Sequence, residues 1–218
     1  MKSKEILIQL IEFLSDYEKE CDSTGNALNM TDFLGFLNSH HAPESVKSNQ
    51  LRGDYPGFEP EQQGPTTDIS ILIVLLFRYA KGYIKKALKD SAIKTADEFS
   101  FLITLMTYES LSKTELIQKQ VMEKTSGTEI INRLLKFGLV EQFDDLEDKR
   151  SVRIKITPSG RVELLKILPH MQTVSQIVTG NLSDAEKSML AYTLRKLEIF
   201  HNDIFLNKKD SDLKDLIQ

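Results

Sequence analysis

The sequence predicts a mainly α-helical chain with one small β-hairpin. Three observations carry that expectation. Apolar residues recur at helical spacing along most of the 218 residues. Ser-x-x-Glu patterns, in which two side chains bond the free N–H groups of a helix start, open at Ser112, Ser126 and Ser183. One stretch, "SVRIKIT" (151–157), alternates apolar and polar residues as a strand does.

Residues 4–21 read as an amphipathic helix, with Leu7, Leu10, Ile11, Leu14 and Tyr17 along one face. A shorter helix follows over 31–39, where Phe33, Leu34, Phe36 and Leu37 supply the apolar content. The run "HHAPESVKSNQLRGDYPGFEPEQQGPTT" is rich in Pro, Gly and polar residues, so residues 1–67 read as a helical extension and linker. From Asp68 to about Ser91 a long helix is apolar nearly all round at first and lysine-rich later, at Lys81, Lys85, Lys86 and Lys89. A helix of that kind must be covered on several sides, and a second copy of this chain is the expected cover. The lysines suit the negative end of the helix dipole, and a solvated helix end is their first reading.

Within a helix over 96–109, Phe99, Leu102, Ile103 and Met106 form an apolar stripe. Ser112 with Glu115, and Ser126 with Glu129, then open two short helices ending near Val121 and Phe137. The tight connection "MEKT" between them gives the outline of a helix-turn-helix. In the second helix Ile130, Ile131, Leu134 and Leu135 form the buried side. Thr128, Asn132 and Lys136, flanked by Glu129 and Arg133, form the polar side. Such a face can lie in a DNA major groove, and it can equally be an ordinary solvated face.

The hairpin favours the groove. Gly138 suits a left-handed cap before the strand "GLVEQF", and in the returning strand Arg153 and Lys155 alternate with inward Val152, Ile154 and Ile156. "DDLEDKR" makes the tip. Helix, helix, hairpin is the winged-helix order. In Thr-Pro-Ser-Gly (157–160), Pro158 suits the first turn of the next helix.

Composition narrows the function classes. A net charge of −4 argues against wholesale coating of nucleic acid but leaves room for a local basic surface. Cys21 is the only cysteine, which excludes an intrachain disulfide and a Cys-rich zinc site. Its neighbours Glu18, Glu20 and Asp22 make it a structural thiol rather than a reactive one. Gln9 and Glu12 break the apolar start, so no signal peptide is expected, and "ISILIVLLF" (69–77) is too short to span a bilayer. The expectation is a soluble cytoplasmic protein without membrane contact. His40, His41, His170 and His201 lack metal-ligand spacing, and no nucleophile–base pair or phosphate-cradling loop is present. Neither metal, cofactor nor enzymatic activity is expected.

The segments "LLKFGLV" (134–140), "DKRSVRIKIT" (148–157) and "TPSG" (157–160), followed by "NLSDAEKSMLAYTLRKL" (181–197), resemble the MarR family of bacterial transcription regulators over roughly residues 68–206. The resemblance implies a homodimer that binds a pseudo-palindromic duplex operator. It divides the chain into a dimerisation helix (68–95), a winged helix-turn-helix (96–160), C-terminal dimerisation helices (161–206) and a polar tail (207–218). The C-terminal helices are expected at about 158–179 and 184–206, and helix 4–21 is expected to enlarge the dimer interface. Ser126, Gly127, Thr128, Asn132 and Arg133 are then expected at the major groove, and Lys124, Lys136, Lys149 and Arg153 at phosphates. The resemblance places Arg150 in the minor groove, oriented by Asp148. It also implies a small-molecule effector pocket that Phe77, Tyr79, Tyr83, Phe99 and Tyr108 could line, although aromatics so placed are more often core.

Some positions depart from the pattern. Glu129 stands where a basic residue is common, Gly127 where a β-branched one is, Ile117 where a small one is and Gln142 where an arginine is. Asp144, Asp145 and Glu147 add acid to the wing tip. These departures motivate an alternative, a winged-helix protein-interaction module that does not read DNA sequence.

Overall fold

A computed structural model describes residues 3–41, 65–145 and 151–216. The linker reading over 42–64 and the tip residues Asp148, Lys149 and Arg150 lie outside the described residues. The chain divides into two compact units, residues 1–63 and 64–218.

The first unit is a helical hairpin of α1 (Lys4–Thr24) and α2 (Met30–His41), slightly longer than the periodicity predicts. Gly25 ends α1 at a φ of +73°, in the left-handed region that a residue without Cβ enters at no steric cost. Before α2, the Asn29 Oδ1 accepts from the Asp32 N–H at 2.9 Å. Tyr17, Cys21 and Phe36 make the small core, with the Tyr17 hydroxyl donating to the Asn29 carbonyl at 3.3 Å. Leu7, Leu10 and Ile11 stay exposed in this unit.

The second unit contains a long helix, a helix-turn-helix with its wing, and two further long helices. In order they are α3 (Pro65–Ala87), α4 (Ala96–Thr107), β1 (Leu111–Ser112), α5 (Lys113–Lys119), α6 (Lys124–Lys136), β2 (Val140–Asp144), β3 (Val152–Ile156), α7 (Pro158–Thr179) and α8 (Asp184–Asn207). A 3₁₀ turn, Leu213–Leu216, follows within the tail read as merely polar. Helix α3 ends four residues short of the expected Ser91, so Lys89 lies in the turn beyond it. There the buried Ser91 hydroxyl accepts from the Ile93 N–H at 2.9 Å, a local bond that competes with helix continuation.

The sheet is antiparallel in the order β1–β3–β2, with Leu111 opposite Ile154 and Val140 opposite Ile156. Sequence periodicity has no purchase on a two-residue strand, so β1 has no counterpart in the expectation. Phe101, Leu102, Leu116, Ile131, Leu134, Ile154 and Leu164 are fully buried where α4, α5, α6, the sheet and α7 meet. The capping box at Ser112 forms as expected: its Oγ accepts from the Glu115 N–H and the Glu115 carboxylate accepts from the Ser112 N–H at 2.8 Å. The Ser112 N–H first, and then the Ser112 side chain, hydrogen-bond the Glu115 carboxyl and hold it below the usual carboxylate range. The box at Ser183 and Glu186 forms the same way.

Helix α8 has no buried residue, and large apolar side chains stay exposed along α3, α7 and α8. Among the described residues no helix is long and apolar enough to cross a membrane.

Candidate nucleic-acid interface

Helix α6 begins at Lys124, not after Ser126. Glu123 is the extended residue before it, and the Gly127 N–H already donates to the Glu123 carbonyl at 2.9 Å. A capping box needs a serine with non-helical backbone, so Ser126 and Glu129, both inside the helix, cannot form one. The correction turns the first helical residues outward. Lys124, Ser126, Glu129, Asn132 and Lys136 are exposed, and Thr128 is half-buried with its hydroxyl donating to the Lys124 carbonyl at 2.6 Å.

Gly127, expected at the groove, faces the core. A Cβ added there would meet Ile117 Cγ1 at 2.6 Å and Cγ2 at 2.8 Å. The two departures from the family pattern are one packing solution, in which the large residue on α5 fits against the missing side chain on α6. Gly127→Ala is expected to cost about 1–3 kcal/mol through overpacking. In an Ile117→Ala background its added cost should fall close to zero in a urea melt, because the clash is gone.

Arg133, also expected at the groove, has a partner within the protein while its side chain stays 43% exposed. Its Nε donates to Glu98 Oε1 at 2.9 Å, and Glu98, on α4, is 2% exposed. The other Glu98 oxygen accepts from the Lys94 N–H at 2.7 Å. This charged bridge fixes α6 against the first turn of α4. The sequence signal for Glu98 was present but unread: Thr95 and Glu98 have the Ser/Thr-x-x-Glu spacing, and the Thr95 hydroxyl accepts from the Glu98 N–H at 3.1 Å.

At the wing, Arg153 holds protein rather than facing free into solvent for a phosphate. Its Nε donates to Ser110 Oγ and its Nη2 to the Ser110 carbonyl, both at 2.8 Å, and its Nη1 reaches Asp145 at 3.2 Å. The guanidinium thereby ties the base of the wing to the segment before β1. Asp145, unexplained by the sequence, is its partner, and its N–H also donates to the Ser151 carbonyl at 3.1 Å across the base of the tip. Lys155 pairs with Glu141 at 3.1 Å and lies over the Phe143 ring.

The aromatics expected to share a pocket are scattered. Phe77 and Tyr79 are exposed on α3, while Tyr83 and Phe99 pack against the core. Tyr108 alone of the five lines the cavity of about 570 Å³ between α4, α5 and α8, beside Thr104, Gln118, Lys119, Glu198 and Asn202. Lys119 donates to the Tyr108 hydroxyl at 3.2 Å and sits over its ring. At the α5–α6 turn, Val121 adopts a φ of +51°, a conformation costly for a β-branched residue, and borders the same cavity. Among the described residues no three His, Cys, Asp or Glu side chains gather as a metal site.

Residues 94–152 match the sequence pattern of the MarR family. The chain is 30% identical over 105 residues to the multiple antibiotic resistance protein MarR of Salmonella typhimurium, covering 47% of this chain and 72% of that protein. It is 29% identical over 103 residues to the transcriptional repressor NicR of Pseudomonas putida, covering 47% of this chain and 65% of the relative, less than two thirds of its length. Among solved structures, a MarR variant from E. coli complexed with operator DNA superposes with a TM-score of 0.57 at 25% identity, over 60% of this chain and 93% of that one.

Proposed function

The chain belongs to the MarR family of transcriptional regulators, and from that premise we propose that it binds duplex DNA as a homodimer, one α6 from each copy entering a major groove. The observation that carries the reading is the outward polar face of α6, with Lys124, Ser126, Asn132 and Lys136 exposed and the β2–β3 hairpin following it. Amide and hydroxyl groups on such a face can read base edges, and the lysines can meet phosphates. Glu129, exposed among them, can accept from cytosine N4. Thr128 completes the groove set, whereas Gly127 and Arg133 support the face from behind and Arg153 holds the base of the wing.

The second copy is supported by α8, none of whose residues is fully buried in one chain, and by the exposed apolar side chains of α3 and α7. Surfaces of that kind are covered in a stable protein. A small-molecule effector would enter the cavity beside Tyr108, where filling it would bear on α5 and the α5–α6 turn.

Selection from random duplexes at two salt concentrations tests the reading. Enrichment of an inverted repeat, bound less tightly as salt rises, is the expected result. Arg150→Ala should weaken binding to the enriched duplex by about 1–3 kcal/mol and leave the dimer intact. Absence of any enriched sequence would favour the protein-interaction alternative.

A further inference from the structure

We propose that Lys209, in the tail after α8, is a positioning residue for DNA binding: it neutralises Glu123 so that a phosphate can approach the start of α6. The inference rests on the DNA reading above. Glu123 is the residue before the first turn of α6, with its side chain 68% exposed and bonded to none of the free N–H groups there. Those N–H groups and the positive helix end attract phosphate. An unscreened carboxylate at the same place would repel it.

Lys209 answers that charge. Its Nζ lies 2.9 Å from Glu123 Oε1 and 3.2 Å from Oε2, and 5.5 Å from the centre of the Phe205 ring. The tail is held at this point, since the Lys208 N–H donates to the Ile204 carbonyl at 2.9 Å and the Ser211 N–H to the Lys208 carbonyl at 3.1 Å. The two partners are 86 residues apart, so the pairing belongs to the fold rather than to the local sequence. An exposed pair of this kind contributes little to stability. Its effect is on the potential that an incoming phosphate meets, to which the exposed Lys124 adds its own positive charge.

The test is an anisotropy titration of a labelled duplex enriched by the selection, at low and high salt, with four proteins: wild type, Lys209→Ala, Glu123→Gln and the double variant. Lys209→Ala should bind about threefold to tenfold more weakly at low salt, with a smaller loss at high salt. Glu123→Gln should bind at least as tightly as wild type, and adding Lys209→Ala to it should cause no further loss. Melting temperatures should stay together, which a structural role for the pair would not allow. The same loss from Lys209→Ala in both backgrounds, or no loss in either, would overturn the proposal. A wild type that binds no duplex would overturn the DNA reading and this inference with it.

Discussion

Gly160→Ala is expected to prevent the 64–218 unit from folding stably. A Cβ at residue 160 would stand 2.0 Å from the Leu139 carbonyl oxygen and 2.8 Å from its carbon. That carbonyl cannot yield, because it accepts from the Thr157 N–H at 3.1 Å and follows the Gly138 turn. Gly138, at a φ of +65°, is fixed in turn: its carbonyl accepts from the Thr157 hydroxyl at 2.7 Å and the Ser159 hydroxyl at 2.9 Å. The Thr157 hydroxyl also accepts from the Gly160 N–H at 2.9 Å, capping α7. Thr-Pro-Ser-Gly therefore sets the end of α6, the start of β2 and the start of α7 at once. Displacing backbone there should cost more than about 4 kcal/mol, a large part of a domain's stability. Ser159→Ala, which removes the bond to the Gly138 carbonyl and the hydroxyl contact with Thr157, should cost about 1–2 kcal/mol. Urea melts of the two variants check the contrast, and equal midpoints would show that the close approach does not fix this corner.

The second large effect is expected from Arg133→Met, which strands the Glu98 carboxylate in the core. Glu98 keeps the Lys94 N–H but loses its cation. Removing one member of a buried pair costs about 3–5 kcal/mol, and the 43% exposure of Arg133 lowers the expectation to about 2–3 kcal/mol. Glu98→Gln in the same chain should restore much of the loss, since no buried charge is then left unpaired. The readout is the free energy of unfolding of the two single variants and the double. A double variant no more stable than Arg133→Met would show that the stranded charge is not the source of the loss.

These expectations show where sequence reasoning reached and where it stopped. Helix segments with an apolar stripe were legible because burial on one face repeats every turn. The boxes at Ser112 and Ser183 were legible because both partners lie within three residues, and the start of α7 because Pro158 suits a first turn. The Ser126 pattern has the same spacing and forms no box, because Glu123, three residues earlier, already ends the extended chain. Charged side chains were the least legible. Arg153 alternates outward along its strand, yet its partner Ser110 is 43 residues away. Arg133 lies on the polar stripe of α6, yet its partner Glu98 is 35 residues away and buried. Gly127 and Ile117 were visible as separate departures, and only their contact shows that each accommodates the other.

The candidate interface is left smaller and better defined. Lys124, Ser126, Thr128, Asn132 and Lys136 remain on the outer face of α6, and Arg133 and Arg153 hold the helix and the wing base in place. The most direct test of the central claim is the mass of the complex between this protein and its selected duplex, measured by light scattering across a salt series. The account predicts two chains on one duplex, with affinity falling steeply as salt rises. A single chain per duplex, or an affinity indifferent to salt, would contradict it.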